Sequence, residues 1–147
     1  MPIKKSTGLT LAGLLLFTLG GASSLAQEKR LKTVPMPYSN PQSGAQMYKD
    51  YCAVCHGPTG RGDGPAVEFL KAPPLDLRTL AQRNNAKYPA DHVAATLRFG
   101  VSSHAHGTAD MPVWGPVFRA AEKGRNEAVA ESRIHNLIVF IESLQQK

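Results

Sequence analysis

Hydrophobic residues recur at helical spacing in three parts of the chain, and the first of these begins near residue 40. Asn40 is a good N-cap, and Pro41 suits the first helical position, where its missing N–H has no intrahelical partner to lose. The spacing therefore predicts a helix that begins at these two residues. Its hydrophobic face contains residues three or four positions apart, which are Gly44, Met47, Tyr48, Tyr51, Cys52 and Cys55.

Two further helices are predicted nearer the C terminus. One follows Pro89 and ends at Gly100, and its hydrophobic face contains Val93, Ala94 and Leu97. The other begins near Asn126 or Ser132, and its hydrophobic stripe contains Ile134, Leu137, Ile138, Ile141 and Leu144.

The rest of the chain after residue 40 is rich in Gly and Pro and predicts mainly loops. Single helical turns are predicted at 65–70 and, with Asp76 as the cap, at 77–82. No alternation of hydrophobic and polar residues indicates a strand. We therefore expect an all-α domain of three to five short helices. Because its loops are long for a small domain, we also expect an enclosed cofactor to organise them.

The N-terminal segment has the pattern of a secretory signal peptide. A basic start precedes an apolar run over 9–19, and small residues lead to a cleavage site after Ala26. An uncleaved membrane anchor is the alternative, but the apolar run is short for a bilayer span. We expect 1–26 to be cleaved and the protein to be periplasmic, with an extended leader over 27–39 and one domain over 40–147. Contact with a membrane is expected only if the N-terminal segment is retained.

Charge limits the classes of partner. The formal net charge of the chain is +6, and it becomes +4 without 1–26, which contain two lysines and no acidic residue. No run of Lys and Arg with interleaved aromatic residues is present, so we expect no nucleic-acid partner. A mildly basic surface suits docking to an acidic patch on a protein partner.

Both cysteines of the chain lie in the pentapeptide CAVCH, residues 52–56. A disulfide across so short a loop would hardly constrain the unfolded chain. A zinc site would need a second pair of ligands, and a thioredoxin-like C-x-x-C would follow a strand. The sequence C-x-x-C-H is instead the attachment signature of c-type haem. On a helix the thiols of Cys52 and Cys55 lie on one side and can each form a thioether with a haem vinyl group, while His56 becomes the proximal iron ligand.

Residues 40–147 resemble a monohaem class I cytochrome c. The resemblance is carried by three segments, which are SGAQMYKDYCAVCHG, MPVWG and NLIVFIESLQ. It implies a small all-α domain wrapped around one covalently bound haem c. It also implies that Gly44 and Tyr48 of the first helix cross Leu137 and Phe140 of the last.

Further residues are candidates for contacts with this haem. In the family a proline carbonyl accepts the hydrogen bond from Nδ1 of the proximal histidine, which makes Pro73 or Pro74 the candidate partner of His56. Trp114 is expected to pack against the haem, and Arg78 is a candidate partner of a haem propionate. Arg61 and Arg98 are further propionate candidates, and the candidates for the apolar pocket are Phe69, Leu70, Leu75, Leu80, Leu97, Phe99 and Val113.

The sixth iron ligand has more than one candidate. The resemblance assigns it to Met111, because the family presents its distal methionine in a segment such as MPVWG, with Pro112 after it. The alternatives are a histidine ligand, His104 or His106, and an open or labile position. The two other histidines outside the CAVCH motif, His92 and His135, are expected at the surface.

Together these features predict an exported electron carrier with His/Met ligation that performs no catalysis of its own. It would exchange single electrons with redox proteins that present an acidic surface, and it would have no small-molecule substrate. The alternatives are a haem subunit of a periplasmic dehydrogenase or reductase complex, a gas-binding or peroxidatic haem with a vacant sixth position, and a thiol oxidoreductase without haem.

Overall fold

The computed structural model describes residues 35–100, 111–122 and 126–146. The predicted signal peptide, most of the predicted leader, and the candidate ligands His104 and His106 therefore lie outside the described residues. The helices of the described part are α1 (Gly44–Met47), α2 (Ala53–His56), α3 (Ala90–Phe99), α4 (Trp114–Ala121) and α5 (Glu127–Ser143). These residues contain no strand, so the expected all-α fold is confirmed.

A π-helical turn, Tyr48–Cys52, joins α1 to α2, and we call the continuous helical stretch 44–56 the CAVCH helix. Short 3₁₀ turns follow it at Val67–Phe69, Leu77–Thr79 and Gln82–Asn84. No helix in the described ranges is both long enough and apolar enough to span a bilayer.

The CAVCH helix begins later than predicted. Its N-cap is Ser43, whose side chain accepts a hydrogen bond from the backbone N–H of Gln46 at 3.2 Å. The backbone N–H of Ser43 in turn donates to the carbonyl of Asn40 at 3.1 Å, which closes a turn over Pro41 and Gln42. The prediction that Asn40 caps the helix was wrong, because a proline that suits the first helical position suits the second position of a turn equally well.

The core forms where the CAVCH helix crosses α5. A Cβ atom built on Gly44 would overlap the carbonyl oxygen of Asn136 and lie 2.9 Å from the Cβ of Phe140. One turn further on, the rings of Tyr48 and Phe140 are 5.1 Å apart, and Leu137 is fully buried. The crossing that the resemblance implied is confirmed, and it depends on a glycine at the point of closest approach.

A buried arginine of α5 connects this core to the segment before the first helix. Arg133 is only 1% exposed, and its guanidinium donates to the carbonyl of Ser39 at 2.7 Å and to the carboxylate of Glu122 at 2.7 and 3.0 Å. The hydroxyl of Tyr51 on the CAVCH helix donates to the carbonyl of Pro37 at 2.8 Å. The main chain of residues 37–39, although it forms no helix, is therefore held against the domain by hydrogen bonds.

The sequence pattern did not predict α4. This helix starts at Trp114 and contains Gly115 and Pro116 in its first turn, where proline is tolerated because its N–H would lack an intrahelical partner anyway. A Cβ on Gly115 would lie 2.6 Å from the carbonyl oxygen of Arg98, so the glycine allows α4 to approach α3 closely. Two residues that usually indicate a loop thus begin a helix here.

The ends of α3 and α5 agree with the sequence. Gly100 has a φ of +84° and its N–H donates to the carbonyl of Thr96 at 2.8 Å, so it ends α3 as predicted. Asn126 caps α5 by accepting a hydrogen bond from the N–H of Val129 at 3.2 Å. Of the two predicted starts of the last helix, the structure has the one at Asn126.

Candidate cofactor site

A largely apolar cavity lies between the CAVCH helix, the segment 70–80, α3 and the residues around the start of α4. It brings together seven of the eight residues that the sequence predicted to hold a haem or its iron, which are Cys52, Cys55, His56, Pro73, Pro74, Met111 and Trp114. The eighth, Arg78, does not line it. Residues from four separate parts of the chain thus surround one space.

Both thiols of the CAVCH helix line this cavity. Cys52 is buried and Cys55 half-buried, and no disulfide joins them in this part of the structure. Burial, with a smaller contribution from Cys55, raises the pKa of the Cys52 thiol to about 12. Thiols that act in disulfide exchange have lowered pKa values, so this environment disfavours a thiol oxidoreductase.

The loop that follows the CAVCH helix folds back over its C-terminal end. The N–H of Gly62 donates to the carbonyl of His56 at 2.9 Å, and the N–H of Gly64 donates to the carbonyl of Cys55 at 3.1 Å. Gly62 has a φ of +83°, and a Cβ on Gly64 would lie 2.6 Å from the carbonyl oxygen of Ala53. Helix carbonyls without intrahelical partners are thereby satisfied. The sequence signal for this arrangement is the close spacing of glycines over 57–64. This spacing predicts a loop but does not indicate that the loop contacts the end of the helix.

His56 has a buried nitrogen without a normal partner. Its Nδ1 atom makes no hydrogen bond to any described residue. Burial lowers the pKa of the imidazole, while the nearby backbone of Leu75 acts in the opposite direction. The lowered pKa favours the neutral imidazole, which is the form that binds a metal.

Pro73 and Pro74 both line the cavity, but neither carbonyl accepts a hydrogen bond from Nδ1 of His56 here. The carbonyl oxygen of Pro74 faces Gly62, where a Cβ would lie 2.5 Å from it. The assignment of one of the two prolines as partner of His56 therefore stays a prediction.

Met111 and Trp114 enter the cavity from the start of α4. Met111 is half-buried, and Trp114 is buried, with its ring stacked on Tyr51 at 5.5 Å and on Phe118 at 5.4 Å between ring centroids. The indole is therefore fixed by the core and presents its remaining surface to the cavity. Whether Met111 or a histidine binds the iron stays a prediction, because the two candidate histidines lie outside the described residues.

The arginines predicted to pair with propionates have other partners. The guanidinium of Arg78 donates two hydrogen bonds to the carboxylate of Asp76, at 3.0 and 2.7 Å. This pairing holds the pKa of Asp76 down to about 2. Arg98 likewise pairs with Glu131 at 2.7 Å, and Arg61 does not line the cavity. The position of Arg78 therefore gives no support to its predicted role.

The predicted apolar lining is partly correct. Of the seven candidates, the cavity is lined by Leu70, Leu75, Leu80 and Leu97. Phe69, Phe99 and Val113 do not line it, and Phe99 is 78% exposed at the end of α3. The prediction for Phe99 failed because it lies on the opposite side of α3 from Leu97.

His92 lies at the surface as expected, but the sequence analysis did not predict its contact with the cavity. It is exposed, but it also lines the cavity, next to Val93 and one helical turn before Thr96. The signal was available, because positions 92, 93, 96 and 97 form one face of a helix.

The residues fit a covalently bound haem. Two thiols three positions apart, an imidazole directly after them and a thioether line a single apolar space. These are the groups that attach haem c and bind its iron on both sides. The apolar lining and these donor groups carry the fit, whereas the unpartnered Nδ1 of His56 does not, because Nδ1 is the nitrogen expected to donate to a proline carbonyl.

Comparison with known proteins agrees with this chemistry. Residues 39–130 match the family model described as cytochrome C oxidase, cbb3-type, subunit III. The match includes the CAVCH helix and Met111 and ends within the first turn of α5. No curated protein matches the chain significantly. Because the match covers more than half of the 147 residues, the chain belongs to this family of c-type cytochromes, which are haem proteins that transfer electrons.

Proposed function

We propose that the chain carries one haem c, attached through Cys52 and Cys55, with His56 and Met111 as the axial ligands of the iron. It transfers single electrons between redox proteins and has no substrate of its own. The observation that carries this proposal is the cavity, which is lined by both thiols, the imidazole and the thioether.

The haem would supply a reversible one-electron change at its iron, and the chain sets the conditions for it. The main chain at His56 is held by the loop, since the N–H of Gly62 donates to the backbone carbonyl of His56. Met111 offers a soft sulfur ligand, which favours ferrous iron and raises the reduction potential. A second axial ligand also leaves no open position for a small molecule.

Export and basic charge support the rest of the proposal. The signal-peptide pattern over 1–26 would bring the protein to the periplasm, where thioether attachment of haem to a C-x-x-C-H motif is expected. The net charge of +4 on residues 27–147 favours partners with an acidic surface around their own redox centre.

The test is the ferric absorption spectrum of the purified holoprotein beside that of Met111→Ala. We expect the wild type to show six-coordinate low-spin iron with the charge-transfer band of a methionine–iron bond. In Met111→Ala this band should be lost while the haem stays attached. Met36→Ala is a matched control, because Met36 is an exposed methionine outside the cavity.

An unchanged spectrum in Met111→Ala would instead favour His104 or His106, and their alanine variants would then show which one binds. High-spin ferric iron together with ready binding of carbon monoxide by the ferrous wild type would contradict the Met111 assignment and favour an open site. A purified chain without covalent haem would overturn the proposal as a whole.

A second candidate is a haem subunit of a larger redox complex. The observation that favours it is the matched family, whose description names a subunit of an oxidase. Purification of the tagged chain from its own cells decides between the two. A stoichiometric large subunit with its own cofactor would support the complex, and a chain that purifies alone and exchanges electrons with small redox proteins would support the carrier.

A further inference from the structure

The carboxylates of a haem would need polar partners in or beside this cavity. A haem has two propionates, which need a cation or hydrogen-bond donors wherever protein covers them. None of the described residues that line the cavity is Lys or Arg. Arg78 and Arg98, which the sequence suggested for this role, are paired with Asp76 and Glu131.

Few polar side chains outside the CAVCH motif line the cavity. The hydroxyl of Tyr51 is engaged elsewhere, since it donates to the carbonyl of Pro37 and accepts from the N–H of Ser39. Trp114, whose ring is stacked in the core, can offer one uncharged N–H donor. The other polar side chains among the described lining residues are His92 and Thr96, which lie one turn apart on the cavity side of α3, and His92 is the one of these three that can carry a positive charge.

His92 lies at the border between the cavity and the surface. It also lines a neighbouring polar hollow formed by Asn84, Lys87, Tyr88 and Asp91 with the backbone around them. Its imidazole makes no hydrogen bond or ion pair with any other residue in the described ranges. In the same hollow the hydroxyl of Tyr88 already donates to the carbonyl of Ile138 at 3.0 Å. The ring N–H of His92 is therefore available to donate a hydrogen bond to another group.

We propose that His92 is the partner of a haem propionate. Its imidazole would donate a hydrogen bond to the propionate carboxylate at the rim of the cavity, with the hydroxyl of Thr96 beside it. This inference rests on the proposed function, because it requires the haem to occupy the cavity. It assigns to a histidine of α3 the role that the sequence suggested for Arg78.

The pairing has an electrochemical consequence. A positive charge beside the haem favours ferrous over ferric iron, since the ferrous centre carries one positive charge fewer. Imidazole loses its charge near neutral pH. The reduction potential should therefore fall as the pH rises through that range. Among the described residues, the other ionisable groups around this position are Lys87, Tyr88 and Asp91 in the hollow and Cys52, Cys55 and His56 on the CAVCH helix, and they are unchanged in the variants below.

The experiment is a redox titration of the holoprotein from about pH 5 to about pH 9, which spans the ionisation of imidazole. We compare wild type, His92→Gln, His135→Gln and Arg78→Gln. His135 is the matched control, because it is an exposed histidine on α5 that does not line the cavity. We expect the potential of the wild type and of His135→Gln to fall with pH. His92→Gln should lose most of this fall and stay near the alkaline potential of the wild type.

A wild-type potential that does not change with pH would overturn the proposal. So would a His92→Gln protein that keeps the wild-type slope, or an Arg78→Gln protein that is the one to lose it. Haem content and far-UV circular dichroism are recorded for every variant, so that loss of structure is recognised.

A measurement on the wild type alone covers the case in which His92→Gln fails to fold. In the ferrous, diamagnetic holoprotein we expect nuclear Overhauser contacts between the imidazole protons of His92 and the methylene protons of a propionate. Their absence in a protein with attached haem would overturn the assignment of His92 and leave the proposed function intact. Absence of haem from the chain would overturn the proposed function itself.

Discussion

The two ends of the CAVCH helix differ in what they pack against. At the N-terminal end Gly44 and Tyr48 are covered by α5, and Tyr48 is almost fully buried. At the C-terminal end Cys55 and His56 line a cavity, and Leu75 across that cavity is 62% exposed. Described protein atoms cover the first end, whereas the second contains apolar surface that the described residues leave uncovered.

This difference separates two sources of stability. Burial of a leucine side chain contributes about 1.5–3 kcal/mol, so the leucines of the cavity would favour a filled over an empty site. The helix crossing depends instead on contacts within the chain. Substitutions at the crossing should therefore lower the free energy of unfolding with or without haem. Substitutions at the cavity should change it mainly when haem is bound.

The largest expected effect is the removal of both thiols. In Cys52→Ala/Cys55→Ala no haem should remain with the chain after denaturation and solvent extraction, because no thioether can form. We expect hydrogen exchange to rise over 70–80, which forms the cavity wall, and the amides of α5 around Leu137 to stay protected. Haem extraction and hydrogen exchange with mass spectrometry measure the two effects.

Val54→Ala is the control for this variant, since Val54 lies between the two cysteines and is 49% exposed. It should retain covalent haem and the wild-type exchange pattern. Haem that stays covalently bound in the double variant would contradict the thioether assignment. Hydrogen exchange that rises equally in α5 would mean that the packing at the two ends of the CAVCH helix is not independent.

The next effect is the loss of Arg133 from the core. Arg133→Ala removes one partner of a buried ion pair and leaves the carboxylate of Glu122 and the carbonyl of Ser39 without their donor. Such a change costs about 3–5 kcal/mol of the free energy of unfolding. Urea titration followed by circular dichroism measures it, and the loss should be similar in the haem-free double variant.

Arg119→Ala is the comparison for this prediction. Arg119 pairs with Glu127 at 3.6 Å, and both side chains are exposed, so its removal should change the free energy of unfolding by less than about 1 kcal/mol. An equal loss of unfolding free energy in Arg133→Ala and Arg119→Ala would show that the guanidinium of Arg133 does not stabilise the core.

A smaller effect is expected from a methyl group at the helix crossing. In Gly44→Ala the new Cβ meets the backbone carbonyl of Asn136, which cannot move as a flexible side chain can. Overpacking of this kind costs about 1–3 kcal/mol. Ala45→Ser changes the next residue, which is exposed, and should stay within about 0.5 kcal/mol of the wild type. A stable Gly44→Ala protein would mean that the two helices separate easily.

Local patterns predicted most of the fold and the covalent part of the candidate site. The hydrophobic spacing gave the faces of the CAVCH helix, α3 and α5, because burial follows helical periodicity. The start at Asn40 was wrong, because Asn40 and Ser43 are both good caps and only the turn over Pro41 and Gln42 distinguishes them. The helix α4 was not predicted. Gly115 usually indicates a loop, but here it allows α4 to approach α3 closely.

Pairing between charged groups was harder to predict than periodicity. The sequence analysis does not predict that Arg78 pairs with Asp76, two residues away, or that His92, which is exposed as expected, also lines the cavity. Both contacts depend on the neighbours of a charged or polar side chain, which a residue type alone does not indicate. The choice between Pro73 and Pro74 depends on carbonyl directions, which no residue pattern encodes.

The smallest effect is expected from the pair of Asp76 and Arg78 at the cavity wall. The guanidinium of Arg78 holds the pKa of Asp76 at about 2, below the value of about 3.9 in an unfolded chain. A lowered folded-state pKa contributes stability that is present above the unfolded value and is lost as the pH falls towards 2. The urea midpoint of the wild type should therefore fall between about pH 4 and about pH 2 by more than that of Asp76→Asn. Asparagine is the informative substitution, because its carbonyl oxygen can still cap the 3₁₀ turn by accepting from the N–H of Arg78.

Arg78→Gln should reproduce the weaker acid dependence of Asp76→Asn, since each variant removes one half of the same pair. Because both side chains of the pair still reach solvent, at 20% and 28% exposure, both effects should be smaller than that of Gly44→Ala. If Arg78→Gln also changes the reduction potential of the holoprotein while Asp76→Asn does not, the guanidinium acts on the haem as well as on Asp76. The cavity wall would then interact with the haem through charge in addition to apolar contact. The difference between the two ends of the CAVCH helix would in that case be greater than packing alone indicates.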